Sequence, residues 1–111
     1  MESKSREIRY YRMKTGKTPY LEFLRGVREA KVRIAIDTRV FRAASGNFGD
    51  HSSVGGGLFE MRIHLGPGFR VYYGLDGDTV VVVTSGGEKG TQKKDIQNAK
   101  AFWEDYLKCG Q

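Results

Sequence analysis

The stretch EMRIHLGPGFRVYYGLDGD, Glu60 to Asp78, decides the fold. Apolar and polar residues alternate along it with a period of two, the pattern of a half-buried strand. Gly66-Pro67-Gly68 interrupts the alternation, and Asp76-Gly77 ends it with a strong two-residue hairpin signal. The pattern predicts strands at Leu58 to Leu65 and Phe69 to Gly74, then a third at Thr79 to Ser85. Links this short allow only antiparallel pairing. The third strand carries TVVVV, apolar on both faces, and belongs inside the sheet. One face of the hairpin holds Phe59, Met61, Ile63, Leu65, Phe69, Val71 and Tyr73, which must point to the helices. The opposite face then gathers Glu60, Arg62, His64, Arg70 and Tyr72. Ser or Thr would make a polar face equally well, so the cations call for an explanation.

Working outward, REIRYYRMK predicts a first strand at about residues 6 to 13. Thr18-Pro19 is a helix start, with Thr18 as N-cap and Pro19 at the first helical position. Tyr20, Phe23, Leu24, Val27, Ala30, Ile34 and Phe41 then recur at helical spacing. Gly26 marks a break, giving a short helix and a longer one that ends near Ala44. Ser45 to Gly57, with five glycines in 13 residues, is expected to be a loop: a flexible linker or a backbone passing close to a ligand. GGEKG should end the third strand, and Thr91 should cap a last helix with Ile96, Ala99, Trp103, Tyr106 and Leu107 on one face and a stop at Gly110. The order is strand, two helices, three-strand meander, helix. It defines a single α+β domain over residues 1–111, with helices packed on a curved antiparallel sheet.

A chain of 111 residues with 29% charged and 39% hydrophobic residues suits one soluble domain that needs no metal or disulfide to fold. One cysteine, Cys109, and an N-terminus without an apolar segment lead us to expect a cytoplasmic protein. No apolar run approaches the roughly 18 residues of a membrane span. The charge is lopsided: residues 1–42 carry +7 and residues 43–111 carry −1. Such a chain is attracted to a polyanion or to an acidic protein partner.

Several chemistries find no support. Two histidines and one cysteine far apart do not form a zinc site, and there is no GxGxxG, Walker A or GxSxG motif. The acidic residues do not cluster as a two-metal nuclease requires. What remains is the hairpin face, with Lys89 just past the third strand. Metal-free RNA cleavage needs a base for the ribose 2′-OH, cations for the transition state and an acid for the leaving oxygen. Arginine suits phosphate because its planar fork never loses its charge. Histidine titrates near neutrality, and tyrosine can stack on a splayed base. The same residues also fit a solvated sheet face with Arg and Tyr as cross-strand neighbours, Glu60 pairing with one of the arginines.

The segment GNFGDHSSVGGG, followed by LFEMRIHLGPGFRVYYGLDGDTVVVVTSGGEKGTQKKDIQNAKAFWEDY, resembles the phage-derived, addiction-module killer family. That family is a HigB-like branch of the RelE superfamily. Its GNFGD-type loop, GGG-x-x-E-x-RI strand, GPG-[FY]-RVY, DGD turn, GG-x-K element and closing helix all occur here in order. The resemblance implies a RelE-like fold and a type II toxin: a metal-independent mRNA endoribonuclease, often ribosome-bound, that inhibits translation. It implies no cofactor and a small antitoxin, commonly a helix-turn-helix protein, as partner. Carried over by position, Arg70 falls on the scissile phosphate, with Arg62 and Lys89 beside it. The histidine or tyrosine that some members carry on the last strand is absent, which shifts the acid and base candidates to His64, Tyr72, Lys89 and Glu60. His51, in the glycine-rich loop, is a further candidate RNA contact. Two other readings stay open: an RNA- or ribosome-binding module that arrests translation by occupancy, and a phage-derived interaction protein with no RNA role.

Overall fold

A computed structural model describes residues 5–109. The elements run β1 (Glu7–Tyr10), α1 (Pro19–Arg25), α2 (Ala30–Arg42), β2 (His51–Gly55), β3 (Leu58–Ile63), β4 (Phe69–Asp76), β5 (Val80–Glu88) and α3 (Gln92–Cys109), with short 3₁₀ turns at Ala43–Ser45 and Lys89–Thr91. The strands form one sheet in the order β1-β5-β4-β3-β2. The meander is antiparallel as expected, but β1 lies parallel to β5, so the sheet is mixed rather than antiparallel. The two-helix crossover between β1 and the meander is long enough to allow that pairing. β5, flanked by β1 and β4, is the apolar interior strand the sequence called for.

Helices cover both faces. On one, Tyr20 of α1 and Ile36 and Val40 of α2 pack on Met61, Ile63, Phe69, Val71, Tyr73, Val81 and Val83. On the other, Ala99, Trp103 and Tyr106 of α3 pack on Leu58, Tyr72 and Val82, together with Tyr11. The alternation of strand side chains produces this split. The Tyr106 hydroxyl donates to Asp76 at 2.7 Å and accepts from Arg9 at 2.8 Å, which ties α3 to the ends of β4 and β1.

Four sequence expectations need correction. The segment from His51 to Gly55 is a strand paired with β3, not loop. Its Ser52 and Val54 face inward, and Gly55, Gly56 and Gly57, all at positive φ, make the tight return to β3. The apolar stripe does not continue through α2: Ile34 is 66% and Phe41 73% exposed, while Ile36 and Val40 are buried. The helical phase is not preserved across the break between Arg25 and Ala30. β5 runs on through Gly86 and Gly87 to Glu88, because bare Cα positions let Phe23 of α1 and Asp95 of α3 close onto the strand from opposite sides. Leu107 is exposed rather than part of the α3 contact face.

At the helix starts, Thr18 holds the N-cap position of α1, with Pro19 behind it, but its hydroxyl makes no capping bond. Thr91 directly precedes α3 and donates to the Asp95 carboxylate. The expected stop at Gly110 lies outside the described residues.

Gly74 lies under Trp103, where an added Cβ would come within 2.6 Å of the indole ring. Trp103 cannot withdraw, being buried and stacked on Tyr106 at 5.6 Å. Gly74→Ala is therefore expected to destabilise the fold by about 1–3 kcal/mol through overpacking. Urea unfolding should show a lower midpoint at unchanged slope.

Candidate functional site

The β3–β4 register sets Arg62 directly opposite Arg70, and Glu60 opposite Tyr72. Two like charges facing each other across a ladder repel, so the pair needs compensation. Glu60 supplies it from below. Its carboxylate is only 4% exposed and lies 2.8 Å from Arg62 Nη1 and 3.5 Å from Arg70 Nε. The Gln92 amide, at the start of α3, donates to the same carboxylate at 3.1 Å. A buried carboxylate is tolerated only when paired and hydrogen-bonded, and this one is both.

The two arginines differ. Arg62 is fully engaged: Nη1 also donates to Ser52 Oγ at 2.8 Å, and Nη2 to Asp50 Oδ1 at 2.8 Å. Those carboxylates, Asp50 first and then Glu60, raise the Arg62 pKa further above its usual value. Arg70 is more enclosed, yet its Nε and Nη1 make no hydrogen bond among the described residues. Its charge is only partly answered by Glu60, whose shorter bonds go to Arg62 and Gln92.

Asp50 has a second partner. Its Oδ2 lies 2.7 Å from His64 Nε2. The hydrogen bonds from Arg62, and then from His64, hold the Asp50 carboxyl well below the usual carboxylate range. Asp50 is thus an ionised acceptor at neutral pH, and the neutral His64 ring must carry its proton on Nε2. The loop that presents Asp50 is itself tied down. The Asp50 carbonyl accepts the Arg62 backbone N–H at 2.8 Å, and Arg39 of α2 donates to Phe48 and Arg62 carbonyls at 3.3 Å each.

Arg62, His64, Arg70 and Lys89 line one cleft of about 60 Å³, together with Ile63, Gly68 and Phe69. A typical small-molecule pocket holds roughly 300–1,000 Å³, so this cleft seats one group of a larger ligand rather than a whole molecule. A groove of about 410 Å³ lies on the α1–α2 side of the β3–β4 turn, lined by Phe23, Val27, Val32 and Phe69. Glu22, Glu29 and Glu88 also line it against one cation, Arg28, and the net negative charge opposes an anionic ligand. The smaller cationic cleft is the candidate site.

Four of the seven sequence-derived candidates therefore converge on the cleft, and Glu60 lies buried beneath it, paired with both arginines. Two do not. Tyr72 lies on the expected face, but α3 covers that part of it, and the side chain is completely buried. Burial, aided by Glu60 and Asp95, pushes its hydroxyl pKa far up, which removes it as a base at neutral pH and as a stacking surface. His51 pairs in register with Met61, on the α1–α2 side, where Nδ1 contacts the Gly49 carbonyl at 2.8 Å and the ring lies 5.7 Å from Phe48. It does not join the cleft. Asp50, Ser52 and Gln92 were missed from the sequence. The available signal was the facing arginine pair, which requires more than one acceptor nearby. Among the described residues, no group of three or more His, Cys, Asp or Glu is placed to hold a metal ion, and no helix is long and apolar enough to cross a membrane.

Fold and site together define a small α+β protein with a mixed five-stranded sheet, three helices and a cationic cleft at one end of the sheet. No family model matches the chain. It is 41% identical over 83 residues to an uncharacterized protein of Haemophilus influenzae, an alignment covering 75% of this chain and 84% of that protein, and it belongs to one family with it.

The Asp50 carboxyl contributes stability that is fully present above its unfolded pKa of about 3.9 and is lost as pH falls through the depressed folded value. Thermal unfolding should therefore show wild type more stable than Asp50→Asn between about pH 5 and 7. The difference should shrink steadily below about pH 4.

Proposed function

We propose that this chain is a RelE-like toxin of the addiction-module killer type, a cytoplasmic, metal-independent endoribonuclease that cleaves mRNA on the ribosome. The observation that carries this reading is the convergence of Arg62, His64, Arg70 and Lys89 on one cleft, with the Arg70 guanidinium short of partners. In this reading a phosphate of the RNA chain enters the cleft and meets the charge of Arg70, which lines it, while Lys89 adds charge from the 3₁₀ turn after β5. Arg62, already bonded to Glu60, Asp50 and Ser52, holds the architecture and contributes field rather than a free fork. The 2′-OH attacks the adjacent phosphorus, giving a cyclic phosphate and a new 5′-hydroxyl end.

The test is 5′-end mapping of cellular RNA after brief induction in a bacterial host. Wild type should generate new 5′-hydroxyl ends inside coding regions. Arg70→Ala should lower their yield by about 10²–10³-fold, the cost of removing one transition-state donor. Its fold should persist, since Glu60 keeps Arg62 and Gln92. Growth arrest with intact mRNA would instead support the occupancy module, and no arrest would remove the toxin reading.

The antitoxin contact is assigned to the outward face of α2. Ile34 and Phe41, two helical turns apart, are the most exposed large apolar side chains among the described residues. Lys31 and Arg42 flank them, and neither side chain makes a hydrogen bond or ion pair within the described residues. An apolar stripe beside free cations fits an acidic amphipathic segment. Phe41→Glu should weaken antitoxin binding by roughly 30-fold or more, about 2 kcal/mol, while leaving RNA cleavage intact. Calorimetry with the cognate antitoxin, alongside the cleavage assay, separates the two effects.

A further inference from the structure

Asp50 bonds two residues of the cleft through one carboxylate, Arg62 through Oδ1 at 2.8 Å and His64 through Oδ2 at 2.7 Å. Sequence separation hides this arrangement, because Asp50 lies in the turn before β2 and both partners lie on or just after β3. Three features make the carboxylate a fixed element rather than a chance surface contact. Gly49, at φ +60°, turns the chain where any Cβ would collide with the Arg39 guanidinium. Arg39 bonds the carbonyls on either side, of Phe48 and Arg62. The Arg62 N–H bonds the Asp50 carbonyl, so backbone and side chain of Asp50 grip the same residue.

We propose that Asp50 and His64 form the proton-accepting pair of the cleft, with His64 as general base and Asp50 as the positioning residue that orients it. The inference rests on the ribonuclease reading. With Nε2–H donating to Asp50, the lone pair of the neutral ring is on Nδ1, which has no hydrogen-bond partner among the described residues. Nδ1 takes the 2′-OH proton, the O2′–P bond forms, and the P–O5′ bond breaks. The leaving O5′ takes its proton from the Lys89 ammonium, since arginine does not release one. The imidazolium that results stands 2.7 Å from an ionised carboxylate, which stabilises it without taking its proton. The other charged groups lining the cleft, Arg62, Arg70 and Lys89, are cations, so among the described residues Asp50, at its edge, is the acidic partner of His64.

The test is a double-mutant cycle on purified full-length protein cleaving a defined mRNA in stalled ribosomes. His64→Gln should lower the single-turnover rate by about 10²–10⁴-fold, the range for a positioned base. Asp50→Asn, which keeps an acceptor for Arg62, should lower it by about tenfold to a hundredfold with KM nearly unchanged. The double variant should be no slower than His64→Gln alone, because Asp50 acts through His64. Added imidazole should restore part of the activity of His64→Gly, a change at an exposed side chain that leaves the fold intact. If Asp50→Asn slows the His64→Gln background as much as it slows wild type, Asp50 acts only through Arg62 and the pair is refuted. Wild-type cleavage with undiminished His64→Gln activity would also refute it while sparing the ribonuclease reading. A wild type that cleaves nothing would remove both.

Discussion

The fold of this site depends on one buried carboxylate. Glu60 stands under two arginines that the β3–β4 register forces face to face. Without it the guanidinium groups would repel across the ladder. Without them a carboxylate at that depth would be neutralised or expelled. Gln92 completes the arrangement and couples it to the start of α3, a polar joint beside the apolar contact that Ala99 and Trp103 make further along the helix. Such joints are poor sources of net stability, because well-packed apolar residues of similar volume often do as well or better. Their presence at the open end of the sheet, where packing would favour Leu or Val, is the kind of local inconsistency found where a chain does chemistry.

The joint also sorts its two arginines. Arg62 is held on both sides, by Glu60 and Ser52 below and by Asp50 above. Arg70 has the weaker share of Glu60 and two buried nitrogens without hydrogen bonds. A fully hydrogen-bonded cation and an under-partnered one can therefore be adjacent and of the same residue type. Proximity to a cleft alone would not have separated them; the hydrogen-bond count does.

Much of the fold was legible because it is local. Period-two alternation, the Asp76-Gly77 turn and the valine run specify the meander, and Thr18-Pro19 with Gly26 specifies α1. What failed was non-local or out of phase. β2 hides behind glycines whose purpose is the turn to β3, and the α2 stripe was counted through a helix break. The cationic face was correctly gathered, since alternation alone puts Arg62, His64 and Arg70 together. Alternation does not say what covers a face, so Tyr72 looked available when α3 buries it. Nor does it reveal an acceptor from another segment. Asp50 lies within the GNFGD segment, but its role is not local, because its partners lie 12 and 14 residues on.

The lopsided charge takes a different meaning once side chains are placed. Much of the N-terminal excess is internal: Arg9 bonds Glu7 and Tyr106, Arg25 bonds Glu22, and Arg33 and Arg39 bond backbone carbonyls. The cations left over on α2 and its approach stand beside exposed Ile34 and Phe41, across the sheet from the Arg70 cleft. The cleft itself draws its charge from the near-neutral half of the chain, residues 43–111. Global charge therefore does not locate the cationic cleft. A basic apolar surface on one side and a small cationic cleft on the other are separable, so a ligand on α2 need not block the cleft. Any coupling between them would run through Arg39, the α2 residue that bonds the Phe48 and Arg62 carbonyls and so holds the loop that presents His64's partner.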